Sequence, residues 1–277
     1  MNIAVLGSGA ERAAAIESLR AAGHVVTHAG PDAYEGCDPV ADHHEALAHG
    51  VTDVLLVSYA PLIEVGALAR ARFYNIHNAL LPRFRGFHGL IWSIINGESE
   101  VGFTLHAVND EIDGGPIHHQ RRLALGASET IIEVRARIVA AIRSDVGMAF
   151  TRITAGVLPR AQNAAEATMV ARRRADDGAI DWQWSAGRVH NLVRALTPPL
   201  YPGAFTLWRG ERLVVRRATL LPNPPFIATP GRIVNLVGDA AWVMCGDRML
   251  QLDELEYAGR VGAARRFFTT VGARFGT

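Results

Sequence analysis

Three side-chain types in this sequence are spaced as an acyl-transfer site requires. Asn75 and His77 lie two residues apart in the apolar segment 73–77, which is predicted to be a strand. Alternate side chains of a strand leave the same face, so the amide and the imidazole point the same way. The amide can donate to a developing oxyanion, the imidazole can move a proton, and the carboxylate of Asp113 can orient and charge the imidazole. The alternative is an ordinary hydrogen-bonded Asn and His at a strand end.

A dinucleotide site is a weaker candidate. Gly7-Ser8-Gly9 follows the first predicted strand, as the start of a nicotinamide-binding fingerprint would. However, Arg12 stands where the fingerprint needs its third glycine, and no acidic residue ends the second strand. A tight strand-to-helix turn is therefore favoured over nicotinamide binding.

A metal site is also disfavoured. The two histidine pairs, His43-His44 and His118-His119, each contain adjacent residues, whose side chains would leave opposite faces of a strand. Neither pair is expected to chelate one metal unaided, and the sequence contains no HExxH motif. We therefore expect no metal.

Composition excludes several functions. The 277 residues are 49% hydrophobic and 20% charged, with a net charge of +1, so no basic field favours nucleic acid. All 28 basic residues are Arg, which excludes Schiff-base lysines, a P-loop lysine and Ser–Lys pairs. Cys37 and Cys245 are far apart and form no CxxC, so neither a disulfide framework nor a Cys-based zinc site is supported. We expect a cytoplasmic protein without signal peptide or membrane span.

Strands and helices alternate along the first half of the chain. This order predicts an α/β fold with a Rossmann-like parallel sheet. The predicted strands are 2–7, 24–28, 52–58, 73–77, 101–108 and 117–125. One predicted helix follows Gly9, and the others span 61–70, 88–97 and 129–154.

The composition changes near residue 156. We predict a domain over 1–156, a linker and one helix over 157–200, with Ser185 as the helix cap, and a third segment over 201–277. Short alternating strands separated by Gly-containing turns predict a small β-barrel or sandwich domain over 201–277.

The segment 74–117 resembles the core of the folate-dependent formyltransferase family. This family includes methionyl-tRNA formyltransferase, glycinamide ribonucleotide formyltransferase and the sugar N-formyltransferases. Its pattern is N-x-H-x-S-L-L-P-x-Y-R-G, then W-x-x-x-x-G-E-x-x-x-G-x-T, then D-x-G-x-I. The matching residues are Asn75, His77, Leu80, Leu81, Pro82, Arg85, Gly86, Trp92, Gly97, Glu98, Gly102, Thr104, Asp113, Gly115 and Ile117. The resemblance continues through 180–182 and 194–205 into a C-terminal β domain.

Three positions depart from the family pattern. Ala79 replaces the serine before Leu-Leu-Pro, Asn78 replaces a residue that is often proline, and His88-Gly89 replaces a common Ala-Pro. None of these changes removes a member of the catalytic triad, but the last one could reshape the acceptor pocket.

The resemblance implies a mechanism and a co-substrate. The donor would be N10-formyltetrahydrofolate, with Asn75 and protonated His77 stabilising the oxyanion and Asp113 pairing with His77. The pterin would be held by two loops and a nearby ring. The residues in question are Pro61, Leu62, Ile63, Phe87, Asn109, Ile112 and Asp113. For Leu62, Ile63 and Phe87, ordinary core packing is the alternative.

The acceptor is inferred from the loops. Family members that act on tRNA carry a basic insertion after the second strand, whereas 30–50 here contains several acids and no Lys or Arg. The loop with Arg83, Arg85 and His88 resembles that of enzymes acting on nucleotide-linked amino sugars, and Arg suits a diphosphate. We expect such a small-molecule acceptor and no nucleic acid or membrane partner. Methionyl-tRNA, an amino acid or peptide-synthesis intermediate, a non-catalytic binding role and a homodimer stay as alternatives to test.

Overall fold

The computed structural model describes residues 2–222 and 226–276, which form two compact units. The first contains Met1–Leu90, Glu100–Ala124 and Arg135–Arg172, and the second contains Ile91–Ser99, Leu125–Val134 and Arg173–Thr277. Along the part of the chain that is described, no helix is long and apolar enough to cross a membrane.

The first unit is built on a seven-stranded sheet. The strands of this unit are β1 (Asn2–Gly7), β2 (Val25–Pro31), β3 (Asp38–Pro39), β4 (Asp53–Val57), β5 (Arg72–His77), β6 (Arg85–Gly86), β7 (Glu100–Ala107), β8 (Ile117–Ala124) and β9 (Met169–Val170). The sheet order is β3-β2-β1-β4-β5-β7-β8. The pairs from β3 to β5 are parallel, whereas β7 is antiparallel to β5 and to β8. This mixed sheet confirms the predicted Rossmann-like α/β architecture.

Helices connect or flank these strands. They are α1 (Gly9–Ala21), α2 (His43–Ala48), α3 (Val65–Leu68), α4 (Gly89–Ile95) and α5 (Ile131–Thr154). The turn from β1 to α1 depends on Gly7, which has φ +129°, and a Cβ there would lie 1.7 Å from the carbonyl oxygen of Val57. Only glycine fits this turn, which accounts for the Gly-Ser-Gly sequence without a dinucleotide.

Strand β5 carries the site residues at its carboxyl end. It lies between parallel β4 and antiparallel β7, with Asn75 opposite Leu56 on one side and opposite His106 on the other. All five residues of β4 are buried, so the strand beside the site is fixed by core packing on both faces.

The second unit is an antiparallel β domain with one helix. It contains α6 (Ala186–Ala195) and the strands β10 (Ala204–Trp208), β11 (Glu211–Leu220), β12 (Ile233–Val237), β13 (Ala240–Met244), β14 (Met249–Tyr257) and β15 (Arg260–Ala263). The sheet order is β10-β11-β14-β13-β12, with β15 on β14. Ser185 caps α6 by accepting the backbone N–H of Arg188, as its side chain predicted.

The structure differs from the predicted elements at several points. The predicted helix 61–70 is reduced to Val65–Leu68, because a proline and an extended segment precede it. Helix α2 was not predicted; its N-cap is Asp42, whose side chain accepts the backbone N–H of Glu45. In the unpatterned segment after residue 156, β9 pairs in parallel with β6.

Candidate active site

Four polar side chains meet at the carboxyl end of β5. Asn75 and His77 come from β5, His106 comes from the neighbouring strand β7, and Asp113 comes from the loop after β7. Their spacing follows from strand register, because Asn75 lies directly opposite His106 in the antiparallel pair of β5 and β7. The sheet therefore brings together residues that are up to 38 positions apart in sequence.

The Asp113 carboxylate lies at the centre of this cluster. Its Oδ1 accepts a hydrogen bond of 3.2 Å from the Asn75 amide and lies 3.3 Å from His106 Nε2. Its Oδ2 accepts the backbone N–H of Gly86 at 2.8 Å and lies 3.4 Å from His77 Nδ1. Asp113 has φ +50°, a conformation that Asp and Asn tolerate better than most residues.

His77 is buried, with a fixed tautomer. Its Nε2 lies 2.7 Å from the carbonyl oxygen of Phe84, which can only accept, so Nε2 carries a proton. The other ring nitrogen, Nδ1, then faces the carboxylate of Asp113. His106 Nδ1 lies 2.8 Å from the carbonyl oxygen of Ala107, which orients the His106 ring with Nε2 towards Asp113.

The surroundings of Asp113 and His77 lower the pKa of both groups, which leaves the carboxylate charged and the imidazole neutral. Burial raises the pKa of the Asp113 carboxyl, but the hydrogen bond with His106, the nearby His77 and the Gly86 N–H outweigh it and lower the pKa to about 2. Burial lowers the pKa of the His77 imidazole, and this effect exceeds the opposing influence of Asp113 and of the Phe84 carbonyl. At neutral pH Asp113 is therefore ionised and His77 neutral, whereas the family resemblance implied a protonated imidazole.

A second group of side chains holds the loop that presents Asp113. Gln162 Nε2 donates to the backbone carbonyl oxygens of Asp113 and Gly115, both at 2.7 Å. Gln162 Oε1 in turn accepts two hydrogen bonds from Arg85, at 3.1 and 2.8 Å. The Arg85 guanidinium also lies 3.5 Å from a carboxylate oxygen of Glu111. Arg85, predicted to bind the acceptor, is thus buried and contacts the loop that carries Asp113.

The same loop depends on a close backbone approach. A Cβ at Gly115 would lie 1.8 Å from the carbonyl oxygen of Ala107, so no other residue fits there without moving the loop. This constraint gives the Asp-x-Gly motif its physical meaning: the glycine allows the chain to turn tightly enough for Asp113 to reach Asn75.

Several of the residues predicted to contact the pterin are large apolar side chains in solvent. Leu62 is 76% exposed, Phe87 is 45% exposed and Ile112 is 51% exposed. Core packing, the alternative for Leu62 and Phe87, does not account for such exposure. Ile63 is partly buried against the hydrophobic core of the first unit. Pro61 is exposed.

The remaining predicted site residues lie between β5 and α4 and on the loop after β7. Asn109 is half-buried, and its side chain accepts the backbone N–H of Glu111 at 3.2 Å. Arg83 and His88 are both exposed. The Arg83 guanidinium lies 5.0 Å from the ring centroid of Phe84.

The match to known protein families decides which family this chain belongs to. Residues 1–144 match the formyl transferase domain, and residues 173–270 match the formyl transferase C-terminal domain. This chain belongs to the formyl transferase family. The first match covers more than half of the chain and contains Asn75, His77, His106 and Asp113.

Solved structures share the fold of this formyl transferase. HypX from Aquifex aeolicus in complex with tetrahydrofolic acid is 18% identical, with a TM-score of 0.68, over 96% of this chain and 46% of that chain. The chain thus spans about half the length of HypX. The N-formyltransferase from Helicobacter canadensis, in complex with folinic acid and dTDP-3-aminofucose, is 16% identical, with a TM-score of 0.70, over 90% and 97%. Methionyl-tRNA formyltransferase from Clostridium thermocellum is 21% identical, with a TM-score of 0.63, over 80% and 94%.

Two residues that contact Asp113 or its loop were not predicted from the sequence, His106 and Gln162. His106 follows Thr104 by two positions on β7, so its side chain leaves the same face of that strand, and pairing β7 against β5 would have placed it beside Asn75. Gln162 lies in a stretch without periodicity, and no pattern in the sequence pointed to it.

Proposed function

We propose that this protein transfers the formyl group of N10-formyltetrahydrofolate to the primary amine of a nucleotide-linked amino sugar. The observation that carries the proposal is the ionised Asp113 carboxylate facing the neutral imidazole of His77 across 3.4 Å. This pair has one negative charge at neutral pH and can accept one proton without building up net positive charge. Aminolysis of a formamide needs such an acceptor, because the attacking amine becomes cationic.

In the proposed reaction the side chains around Asp113 act one after another. The amine nitrogen attacks the formyl carbon, a C–N bond forms, and the carbonyl electron pair becomes an oxyanion. The Asn75 amide is the donor beside it, and donors already oriented before the reaction stabilise such charge most effectively. The amine proton passes to the His77–Asp113 pair and then to N10 as the bond from N10 to the formyl carbon breaks. The products are a formamide and tetrahydrofolate.

Exposed apolar side chains support a folate-type donor. Phe87 directly follows Gly86, whose backbone N–H bonds Asp113, and Ile112 directly precedes Asp113. Two large exposed side chains therefore border the catalytic carboxylate, where a flat heteroaromatic ring could pack. The tetrahydrofolic acid bound to HypX and the folinic acid bound to the Helicobacter canadensis relative agree with this donor class.

Charge supports a small acceptor over tRNA. The segment 30–50 carries the exposed carboxylates Asp32, Glu35 and Asp38 and no Lys or Arg, so it would repel a phosphate backbone. Residues 201–277 contain ten Arg against six acidic residues, a modest excess. Arg83 is exposed, and a guanidinium suits a diphosphate; the Helicobacter canadensis relative was solved in complex with dTDP-3-aminofucose. Methionyl-tRNA is the second candidate, because a methionyl-tRNA formyltransferase shares the fold.

The acceptor is tested by a mass-spectrometric formylation assay. The protein is incubated with N10-formyltetrahydrofolate and separate pools of nucleotide-linked amino sugars, methionyl-tRNA and amino acids. The proposal expects a mass increase of one formyl group in the sugar pool. Formylation of methionyl-tRNA alone would overturn the sugar assignment and keep formyl transfer. Absence of product in every pool would overturn both.

A further inference from the structure

Three potential metal ligands meet in the first unit, outside the cluster around Asp113. His43 Nε2 lies 3.0 Å from one carboxylate oxygen of Glu64, and His44 Nδ1 lies 3.4 Å from the other. One ligand atom from each of the three residues lies within 4.8 Å of the others. The histidines are the first two residues of α2, and Glu64 is the N-cap residue of α3.

These separations suit a tetrahedral ion. Ligand atoms about 2.0–2.1 Å from Zn²⁺ at tetrahedral angles are about 3.3 Å apart. One ligand atom from each of the three residues already lies within 4.8 Å of the others, and rotation of the exposed His44 and Glu64 side chains can bring them to that spacing. Two imidazoles and one carboxylate are ligands that zinc accepts, whereas Mg²⁺ and Ca²⁺ prefer oxygen ligands alone. The residue set thus selects a borderline dication over a hard one.

Tyr59 orients the inner ligand. His43 Nδ1 lies 2.9 Å from the hydroxyl oxygen of Tyr59, which also accepts the backbone N–H of His43 at 3.2 Å. This contact fixes the ring so that Nε2 points at Glu64. Histidines that ligate metals characteristically have their second ring nitrogen held by such a partner.

Exposure provides an entry path. The His43 side chain is only 4% exposed, whereas the side chains of His44 and Glu64 are 61% and 49% exposed. The buried His43 ligand is therefore held in place, and the exposed His44 and Glu64 side chains can close on an ion that arrives from solvent. A water molecule would fill the fourth position.

We propose that His43, His44 and Glu64 form a Zn²⁺ site that joins the start of α2 to the segment before α3. The expectation that adjacent histidines diverge rested on a strand, but His43 and His44 lie in a helix, where Glu64 supplies the third ligand. Zn²⁺ would replace the proton that otherwise lies between His43 and the carboxylate.

The test is a calorimetric titration of the untagged full chain with ZnCl₂. The proposal expects one equivalent to bind, and His44→Ala and Glu64→Gln each to weaken binding by more than tenfold. Tyr59→Phe is expected to weaken it about 10- to 100-fold, as loss of a partner behind a ligand does. His49→Gln, at an exposed histidine outside the three ligands, is the control and is expected to leave the affinity unchanged.

Circular dichroism confirms that each variant is folded before titration, so a loss of binding reports on the ligands. Binding that is the same in wild type, His44→Ala and Glu64→Gln would overturn the proposal, because the zinc would then lie on other histidines. A wild-type protein that binds no Zn²⁺ would also overturn it, leaving a carboxylate that bridges two imidazoles without a metal.

Discussion

His77 Nδ1 faces Asp113 Oδ2 at 3.4 Å while the opposite nitrogen of the same ring donates to the Phe84 carbonyl. This relationship fixes the order of events in the proposed reaction. The imidazole begins neutral with its Nε2–H held by the Phe84 carbonyl oxygen, and its free nitrogen, Nδ1, points at the carboxylate that would stabilise the ring once it is protonated. The pair therefore starts with the one negative charge of Asp113 and becomes an ion pair only as the amine loses its proton.

The pH dependence of turnover follows from this order. Burial lowers the pKa of His77 below its ordinary value of 6.5, so the imidazole is neutral at pH 7. The ring becomes protonated, and can no longer accept a proton, only at a pH below 6.5. We expect kcat at saturating acceptor to be level between pH 7 and 8 and to fall as pH decreases below about 6.5. A kcat that rises on acidification would mean that the imidazolium is the active form, contrary to the proposal.

Gln162 is predicted to act as a positioning residue. Gln162→Leu removes the donor to the carbonyl oxygens of Asp113 and Gly115, and an unmade buried hydrogen bond costs about 1–3 kcal/mol. We expect kcat to fall about 10- to 100-fold with a smaller change in KM. Gln162→Glu keeps an acceptor for Arg85 and loses the donor, so it should be equally slow.

Asn163→Ala is the matched control for Gln162, since the Asn163 side chain bonds Ala165 and Glu166. Its kcat should equal that of wild type. Equal rates for Gln162→Leu and wild type would show that the Asp113 loop is held without this side chain.

Gly89 is predicted to tolerate no side chain. A Cβ there would lie 2.8 Å from Ala79 Cβ, 2.9 Å from the Phe84 carbonyl oxygen and 3.0 Å from His77 Nε2. Gly89→Ala should therefore displace the His77 ring, lower kcat and destabilise the protein by about 1–3 kcal/mol. Gly187→Ala, in α6 with open space around it, is the control and should be neutral or stabilising. Unchanged turnover in Gly89→Ala would contradict the rigid placement of His77.

Much of this site follows from the sequence, but not its supporting residues. Asn75 and His77 could be placed on one face of a strand from spacing alone, and the predicted α/β fold is confirmed. The contacts of Gln162 and Arg85 with the Asp113 loop could not be predicted, because long-range contacts from irregular segments leave no periodicity. The short helix α2 was missed for a related reason: a cap and six residues give little periodic signal.

His190 should make stability depend on pH. Burial, and to a lesser degree Arg194, lower its pKa from 6.5 to about 4, so the unfolded chain binds a proton there before the folded one does. Stability is therefore lost as pH falls from about 6.5 towards 4. Between pH 7 and pH 5 the contribution is about 2 kcal/mol. Urea unfolding should show a smaller loss over this interval for His190→Gln than for wild type. Parallel curves would mean that His190 does not titrate as its burial implies.

The most direct test of the account is the transfer of an isotope-labelled formyl group by wild type and Asp113→Asn. Asparagine keeps the shape of the side chain and tolerates φ +50°, but it cannot accept a proton. With ¹³C-formyl donor and dTDP-3-aminofucose as first acceptor, wild type should yield a labelled formamide. Asp113→Asn should be at least 100-fold slower, within the range for loss of a general base, with an unchanged melting curve. Transfer by Asp113→Asn within a fewfold of the wild-type rate would contradict the central role given to this carboxylate.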